Sequence, residues 1–399
     1  MNFLHPPGPE WEVIVGALDG QVHFYDAETG RPSRKPLTMP HPYPIKGTVT
    51  LDPRGYPLIF VGCGVDVGVP GYRAFSLLDF RELFCLKAKD PAAPRSWPGS
   101  DSNALILRDT LFLPCENGLL YKVGLNSSWN AQTGELSVRP QVTKVRFSKA
   151  GMESSMAAWG DYGYVADNVG AIRRFALDDP TQHKVIAQTG DDTDSTCAFD
   201  PEGRFYVGRE VDKQTGKGAT GKLFKIDAST GGVVWEWSFP AGSIPGGNGK
   251  NPINGGILST PAVCPETGMV YVTTCHHPRV GQGFLAAVDM NSGRSRWTVK
   301  LRGFAWSSPI VGTISDRESA ETGEGSNSRF AVLACDSTGA VFVRDAMTGK
   351  SLLTDSAGKV IRCIQLGANV ESSPIMWRGR VYVGVRGGAL VCLGLRKDK

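Results

Sequence analysis

Polar and apolar residues alternate along the chain at a period of two, in short runs closed by glycine-containing turns. The pattern is plainest in residues 13–30, where Asp19-Gly20 joins two alternating runs and Asp26-Ala27-Glu28-Thr29-Gly30 closes the second. Alternation at period two makes a strand with two unlike faces, and an Asp-Gly or Asn-Gly pair supplies the positive φ angles of a tight hairpin. In Asp-Ala-x-Thr-Gly the Asp can accept backbone N–H groups across the next turn while the Gly takes the left-handed position. Copies return at residues 223–231, 287–293 and 341–349, and worn ones at 116–123, 168–175 and 387–393. Trp235 and Trp297 each stand four residues past the motif Gly, where a large ring can wedge between adjacent sheets.

A second motif precedes each hairpin: two small, mostly hydroxyl residues, often followed by Pro. It reads Ser102-Asn103, Ser154-Ser155, Ser195-Thr196, Ser259-Thr260-Pro261, Ser307-Ser308-Pro309 and Ser372-Ser373-Pro374, with Gly47-Thr48 an earlier member. A repeat of about fifty residues built of four strands predicts propeller blades. Inner strands opening at these motifs, plus the N-terminal hairpin, predict an all-β, eight-bladed β-propeller of four-stranded antiparallel blades, with seven blades as the alternative. Residues 1–399 then form a single domain, and residues 2–7 are expected to lend a closing strand to a terminal blade.

Ser-Ser-Pro, an apolar strand such as Val381-Tyr382-Val383-Gly384, and Asp-Gly followed by Asp-Ala-x-Thr-Gly together resemble the quinoprotein-like repeat. That family includes the pyrroloquinoline-quinone alcohol dehydrogenases and the outer-membrane barrel-assembly scaffold lipoprotein. The resemblance is strong in residues 12–30 and 220–395 and weaker between them. It implies a fold, and it admits both redox and scaffold roles. The family's redox members hold the quinone between a Trp and a disulfide of neighbouring cysteines. No two of the nine cysteines here are adjacent, so pyrroloquinoline quinone is disfavoured as cofactor.

Charge narrows the partners. Lys and Arg number 43 against 39 Asp and Glu, a net of +4, too balanced and too scattered to form the basic stripe that phosphate backbones require. Nucleic acid is therefore not expected. The chain has no run of eighteen apolar residues, and residues 1–7 lack the basic and apolar regions of an export signal, so no membrane partner and a cytoplasmic location are expected. An odd number of cysteines without a Cys-x-x-Cys pair reads as reduced core thiols.

Candidate chemistry comes from the residue just before each small-hydroxyl motif: Lys46, Asp101, Glu153, Asp194, Leu258, Trp306 and Glu371. Equivalent positions on inner strands would gather around a funnel mouth. Carboxylates drawn together repel, so one gains proton affinity and can act as an acid beside an ionised neighbour. Asp101, Glu153, Asp194 and Glu371 are accordingly the candidate proton-transfer groups, Trp306 an apolar wall, and Lys46, Leu258 and His276 candidate ligand contacts. Ca²⁺ is admitted as a cofactor because hard oxygens are present, but no metal ligand is assigned. Cys275-His276-His277 reads as a loop rather than a metal site, since adjacent side chains on an extended segment point apart. The glycine-rich residues 246–250 lack the Ser/Thr and the strand-to-helix setting of a phosphate loop. Loops 63–72, 209–220, 240–257 and 275–283 are expected on the funnel face and 314–328 on the opposite one.

The leading functional reading is a small-molecule ligand in the central funnel, extending to a cofactor-free acid/base enzyme for cyclisation, elimination, isomerisation or hydrolysis. The alternatives are a non-catalytic scaffold for a protein partner and a quinone-dependent dehydrogenase.

Overall fold

The computed structural model describes residues 9–40, 44–63, 71–87, 89–97, 99–130, 132–214, 218–244, 254–314 and 329–394. Residues 2–7, 245–253 of the stretch 240–257, 64–70 of loop 63–72, 215–217 of loop 209–220, and 315–328 lie outside them, as do the expectations placed there. The chain packs as two compact units, Met1–Val185 and Ile186–Lys399.

In the first unit the opening sheet has strands Glu12–Gly16, Gln21–Asp26 and Leu37–Thr38. The second has Thr50–Leu51, Leu58–Val61, Gly71–Ser76 and Glu82–Lys87. The third has Leu105–Leu107, Thr110–Pro114, Leu119–Gly124 and Gln141–Arg146, with a two-stranded ribbon, Ser128–Asn130 and Glu135–Ser137, inserted before its outer strand. The fourth has Ala157–Trp159, Tyr162–Ala166, Ala171–Ala176 and His183–Gln188, the unit boundary falling in that last strand.

The second unit continues the series. Its first sheet is Ala198–Phe199, Arg204–Val211, Thr220–Asp227 and Val233–Pro240, with Gly255–Gly256 added beside Arg204–Val211. Next come Ala262–Cys264, Met269–Thr273, Phe284–Asp289 and Ser295–Lys300, then Ile310–Ile314, Arg329–Cys335, Ala340–Asp345 and Ile364–Gln365. The last sheet has three strands, Ile375–Trp377, Arg380–Val385 and Ala389–Gly394. Eight antiparallel blade sheets are thus present among the described residues, and the chain is an all-β, eight-bladed propeller. No α-helix occurs among those residues, and none is long and apolar enough to cross a membrane.

Burial explains the strand chemistry. Leu58–Val61 is buried at every position, whereas the outer strand Val233–Pro240 is mostly exposed or half-buried. Middle strands are covered on both faces because cores form between consecutive sheets. Leu58, Phe60 and Tyr72 of one sheet meet Leu111, Leu113 and Tyr121 of the next, and Tyr206 and Leu223 meet Val270 and Val272. Each large apolar side chain fully removed from water contributes about 1.5–3 kcal/mol.

The turn motif works locally. Asp26 Oδ1 accepts the N–H groups of Glu28 and Thr29 at 2.8 and 2.7 Å, and Asp227 Oδ1 those of Ser229 and Thr230 at 3.1 and 3.0 Å. Trp235 donates its indole N–H to the Met290 carbonyl at 3.0 Å, and a Cβ on Gly293 would stand 2.7 Å from its ring. Trp297 repeats the contact with Ala346 at 3.0 Å and lies against Gly349. The indole therefore locks one sheet onto the motif turn of the next, and the motif Gly is required there by close approach as well as by its positive φ.

Candidate functional site

The small-hydroxyl motifs stand just before the inner strands and act as clips. Ser154 Oγ donates to the Ala166 carbonyl at 3.1 Å and accepts the Ala166 N–H at 3.0 Å. Ser102 bonds the Pro114 carbonyl in the same way, Ser259 that of Thr273 and Ser372 that of Gly384, while Ser195 accepts the Gly208 N–H. Each clip pins the start of an inner strand to the end of its neighbour. The residue before the serine then faces the residue two places beyond the clipped position. The resulting pairs are Asp101 with Glu116, Glu153 with Asn168, Asp194 with Glu210 and Glu371 with Arg386.

The second residue of each motif joins neighbouring sheets. The Thr48 N–H donates to Asn103 Oδ1 at 2.6 Å, and the Asn103 N–H to Ser155 Oγ at 3.0 Å. In the other unit the Thr260 N–H donates to Ser308 Oγ at 2.9 Å and the Ser308 N–H to Ser373 Oγ at 3.0 Å. These links draw Lys46, Asp101 and Glu153 close together. Gly47 permits the approach, since a Cβ there would lie 2.5 Å from the Asp101 carbonyl.

Asp101, Glu116 and Glu153 form the first cluster, with one carboxyl oxygen from each within 4.8 Å of the others. Glu116 is 2% exposed and accepts the Asp101 N–H at 3.1 Å. Glu153 accepts from the Asn168 amide at 2.7 Å, and the Lys46 ammonium lies 2.9 Å from Asp101 Oδ2. Burial, followed by the negative fields of Asp101 and Glu153, pushes the Glu116 carboxyl up to about 8. Burial also raises Glu153 against the opposing Asn168 bond. Burial disfavours the Lys46 charge, but attraction and hydrogen bonding to Asp101 outweigh it and its proton affinity rises. The other Asp101 oxygen, Oδ1, is shut off from solvent without a hydrogen-bond partner among the described residues.

Asp192, Asp194 and Glu210 form the second cluster within the same 4.8 Å limit. Glu210 is 0% exposed; its Oε1 accepts the Asp194 N–H at 3.1 Å and its Oε2 the Asn254 amide at 3.0 Å. Burial first, then Asp192, pushes Glu210 up to about 8, with the Asn254 and Asp194 bonds opposing. Cys275 bridges Gly256, the strand partner of Glu210, and its thiol is pushed up mainly by burial, with Trp306 and Glu210 as neighbours.

The remaining candidates are not part of either carboxyl cluster. Glu371 is held by Arg386 Nε at 3.0 Å and Asn369 Nδ2 at 2.8 Å and belongs to neither cluster. His276 is buried at a φ of 50°, accepts the Gly281 N–H on Nδ1 at 2.9 Å, and is held below its ordinary proton affinity by burial. Its ring lies 4.8 Å from that of Phe304, which lies 5.5 Å from Trp306. Leu258 is half-buried. Sequence reasoning missed Glu116, Glu210, Asp192 and Asn254. The available signal was spacing: Glu116, Asn168, Glu210 and Arg386 follow their partners by 15, 15, 16 and 15 residues, one hairpin length.

The disulfide of neighbouring cysteines that the quinoprotein resemblance implies as a quinone platform is not formed: all nine cysteines are free thiols. The carboxyl clusters offer hard oxygens suited to a cation such as Ca²⁺, although Lys46 already places a positive charge in the first.

No curated protein matches the chain by sequence. Among solved structures, BamB from Moraxella catarrhalis is 14% identical, with 96% of this chain and 95% of that one covered at a TM-score of 0.58. The computationally designed Ika8 protein is 12% identical, covers 96% and 93%, and also scores 0.58. Quinohemoprotein alcohol dehydrogenase ADHIIG from Pseudomonas putida HK5 is 13% identical, covers 93% and 68%, and scores 0.54. At such identities these likenesses speak to the fold. The family model described as outer membrane protein assembly factor BamB matches residues 173–399, more than half of the sequence, and the chain therefore belongs to this family of PQQ-repeat propellers.

Proposed function

We propose that this propeller binds a small cationic or hydroxyl-rich molecule at its carboxyl clusters and that the buried glutamic acid of each Asp–Glu pair serves as a proton donor to it. One observation carries the reading: Glu116 and Glu210, almost fully buried, each accept the N–H of a neighbouring aspartate and each keep a proton up to about pH 8. A neutral carboxylic acid beside a second carboxyl group is the arrangement general acid–base chemistry uses near neutral pH. Cyclisation, elimination, isomerisation and hydrolysis all draw on such a pair.

Thermal-shift measurements with a panel of organic cations and polyols test this. A ligand at one hundred times its dissociation constant stabilises by about 2.7 kcal/mol. Asp101→Asn and Glu116→Gln are expected to abolish the shift of a first-cluster ligand, and Asp194→Asn and Glu210→Gln that of a second-cluster ligand. Equal shifts in all four variants remove the proposal.

Family membership favours a second reading, a non-catalytic scaffold for a protein partner. Val233 and Val234, 50% and 49% exposed on an outer strand, would contribute apolar contact area to such an interface. Val233→Glu with Val234→Glu would then abolish capture of the partner while leaving small-molecule shifts unchanged.

A further inference from the structure

A cleft of about 720 Å³ opens in the first unit, beyond the acidic cluster. Arg146, Lys149 and Arg173 line it, with Asp167 as its carboxylate and Pro94 and Val169 among its apolar walls. Asp167 is 0% exposed and already engaged: it accepts Ser148 Oγ at 2.7 Å and the Ala171 N–H at 2.8 Å, and Arg173 stands 3.5 Å away. Arg146 and Lys149 are exposed and make no ion pair among the described residues. The Arg173 guanidinium lies 5.7 Å from the centre of the buried Phe147 ring, another residue of the lining. The lining therefore carries a surplus of positive charge, while Val169, 47% exposed, offers apolar surface.

We propose that this cleft binds a small organic anion, a carboxylate or phosphate monoester with an apolar body, through Arg146, Lys149 and Arg173. Its volume matches that of small-molecule clefts, roughly 300–1,000 Å³, and it is open to solvent on the side of Arg146 and Lys149. Arginine supplies planar, paired donors to such anions and lysine a mobile point charge. The turn carrying Asp167 and Val169 also carries Asn168, whose amide reaches back to Glu153 at 2.7 Å. One turn thus separates an anion-seeking cleft from an acid cluster, and the cleft does not depend on the function proposed for that cluster.

Calorimetric titration of the full chain with phenyl phosphate, inorganic phosphate and benzyl alcohol tests the assignment. Phenyl phosphate is expected to bind at least about tenfold more tightly than either of the others, and Arg146→Gln with Lys149→Gln to weaken it by about tenfold or more. Added salt is expected to weaken it as well. Both substituted side chains are exposed, so an unchanged thermal midpoint verifies folding. Glu116→Gln is expected to leave phenyl phosphate binding unaltered, which separates this site from the acidic one. Binding no tighter than benzyl alcohol, or undiminished in the double variant, overturns the proposal. Equal affinity for inorganic phosphate overturns its apolar half.

Discussion

The two carboxyl clusters are built by one device and balanced in two ways. In both, a serine clip places an aspartate beside a glutamate from the neighbouring strand, and the glutamate accepts the aspartate N–H at 3.1 Å. The first cluster takes its third carboxyl from the next sheet, Glu153, and sets a lysine against the set. The second takes its third from two residues upstream, Asp192, and gives Glu210 an amide partner, Asn254. A repeat thus duplicates backbone geometry, while the side chains that compensate the charge are chosen separately at each copy. A cation favours ionisation of its neighbours, whereas an amide satisfies a lone pair without supplying charge.

This contrast can be broken most forcefully at the glutamates. Glu210→Ala removes the acceptor of two donors at a site closed to water and is expected to cost about 3 kcal/mol by denaturant unfolding, against about 2 kcal/mol for Glu116→Ala. Equal losses would erase the distinction between the clusters.

Per pH unit, a smaller effect follows from protonation. Both glutamates hold a proton up to about 8 in the fold instead of the ordinary 4.5, so the native chain binds more protons than the unfolded chain between those values. Their contribution is fully present below about 4.5 and is lost as pH rises through about 8. The slope reaches at most about 1.4 kcal/mol per pH unit for each proton. Glu116→Gln and Glu210→Gln are each expected to flatten one share of it, as read by thermal unfolding across that interval. A slope unchanged in both variants would mean that neither carboxyl keeps its proton.

The smallest effect sharpens the comparison. The Lys46 side chain is 51% exposed, so Lys46→Met is expected to cost about 1 kcal/mol or less. It should nevertheless raise the proton affinity of Glu116 further and leave that of Glu210 alone, which carboxyl-resolved NMR titration of the two glutamates would read. Movement of both would contradict separate balancing.

Asp101, Glu153 and Asp194 could be picked out because each immediately precedes a serine motif, and the clip geometry explains why that place matters. Glu371 stood out for the same reason, yet Arg386 and Asn369 occupy its oxygens. Its partner arrives from the end of a hairpin, a position with no motif of its own. Glu116 and Glu210 were hidden in the same way. Blade architecture was far more visible, because alternation, Asp-Gly turns and the Trp wedge repeat with enough copies to reinforce one another.

Strand period and turn chemistry act over a few residues, so the order of amino acids alone settled that this chain would fold into successive four-stranded blades. Which acids would meet, and which would keep a proton, depended on contacts between residues 15 to 55 places apart and on how fully each was removed from water. Those are properties of packed sheets, since the field at a carboxyl group is summed over neighbours that only the assembled fold brings within reach.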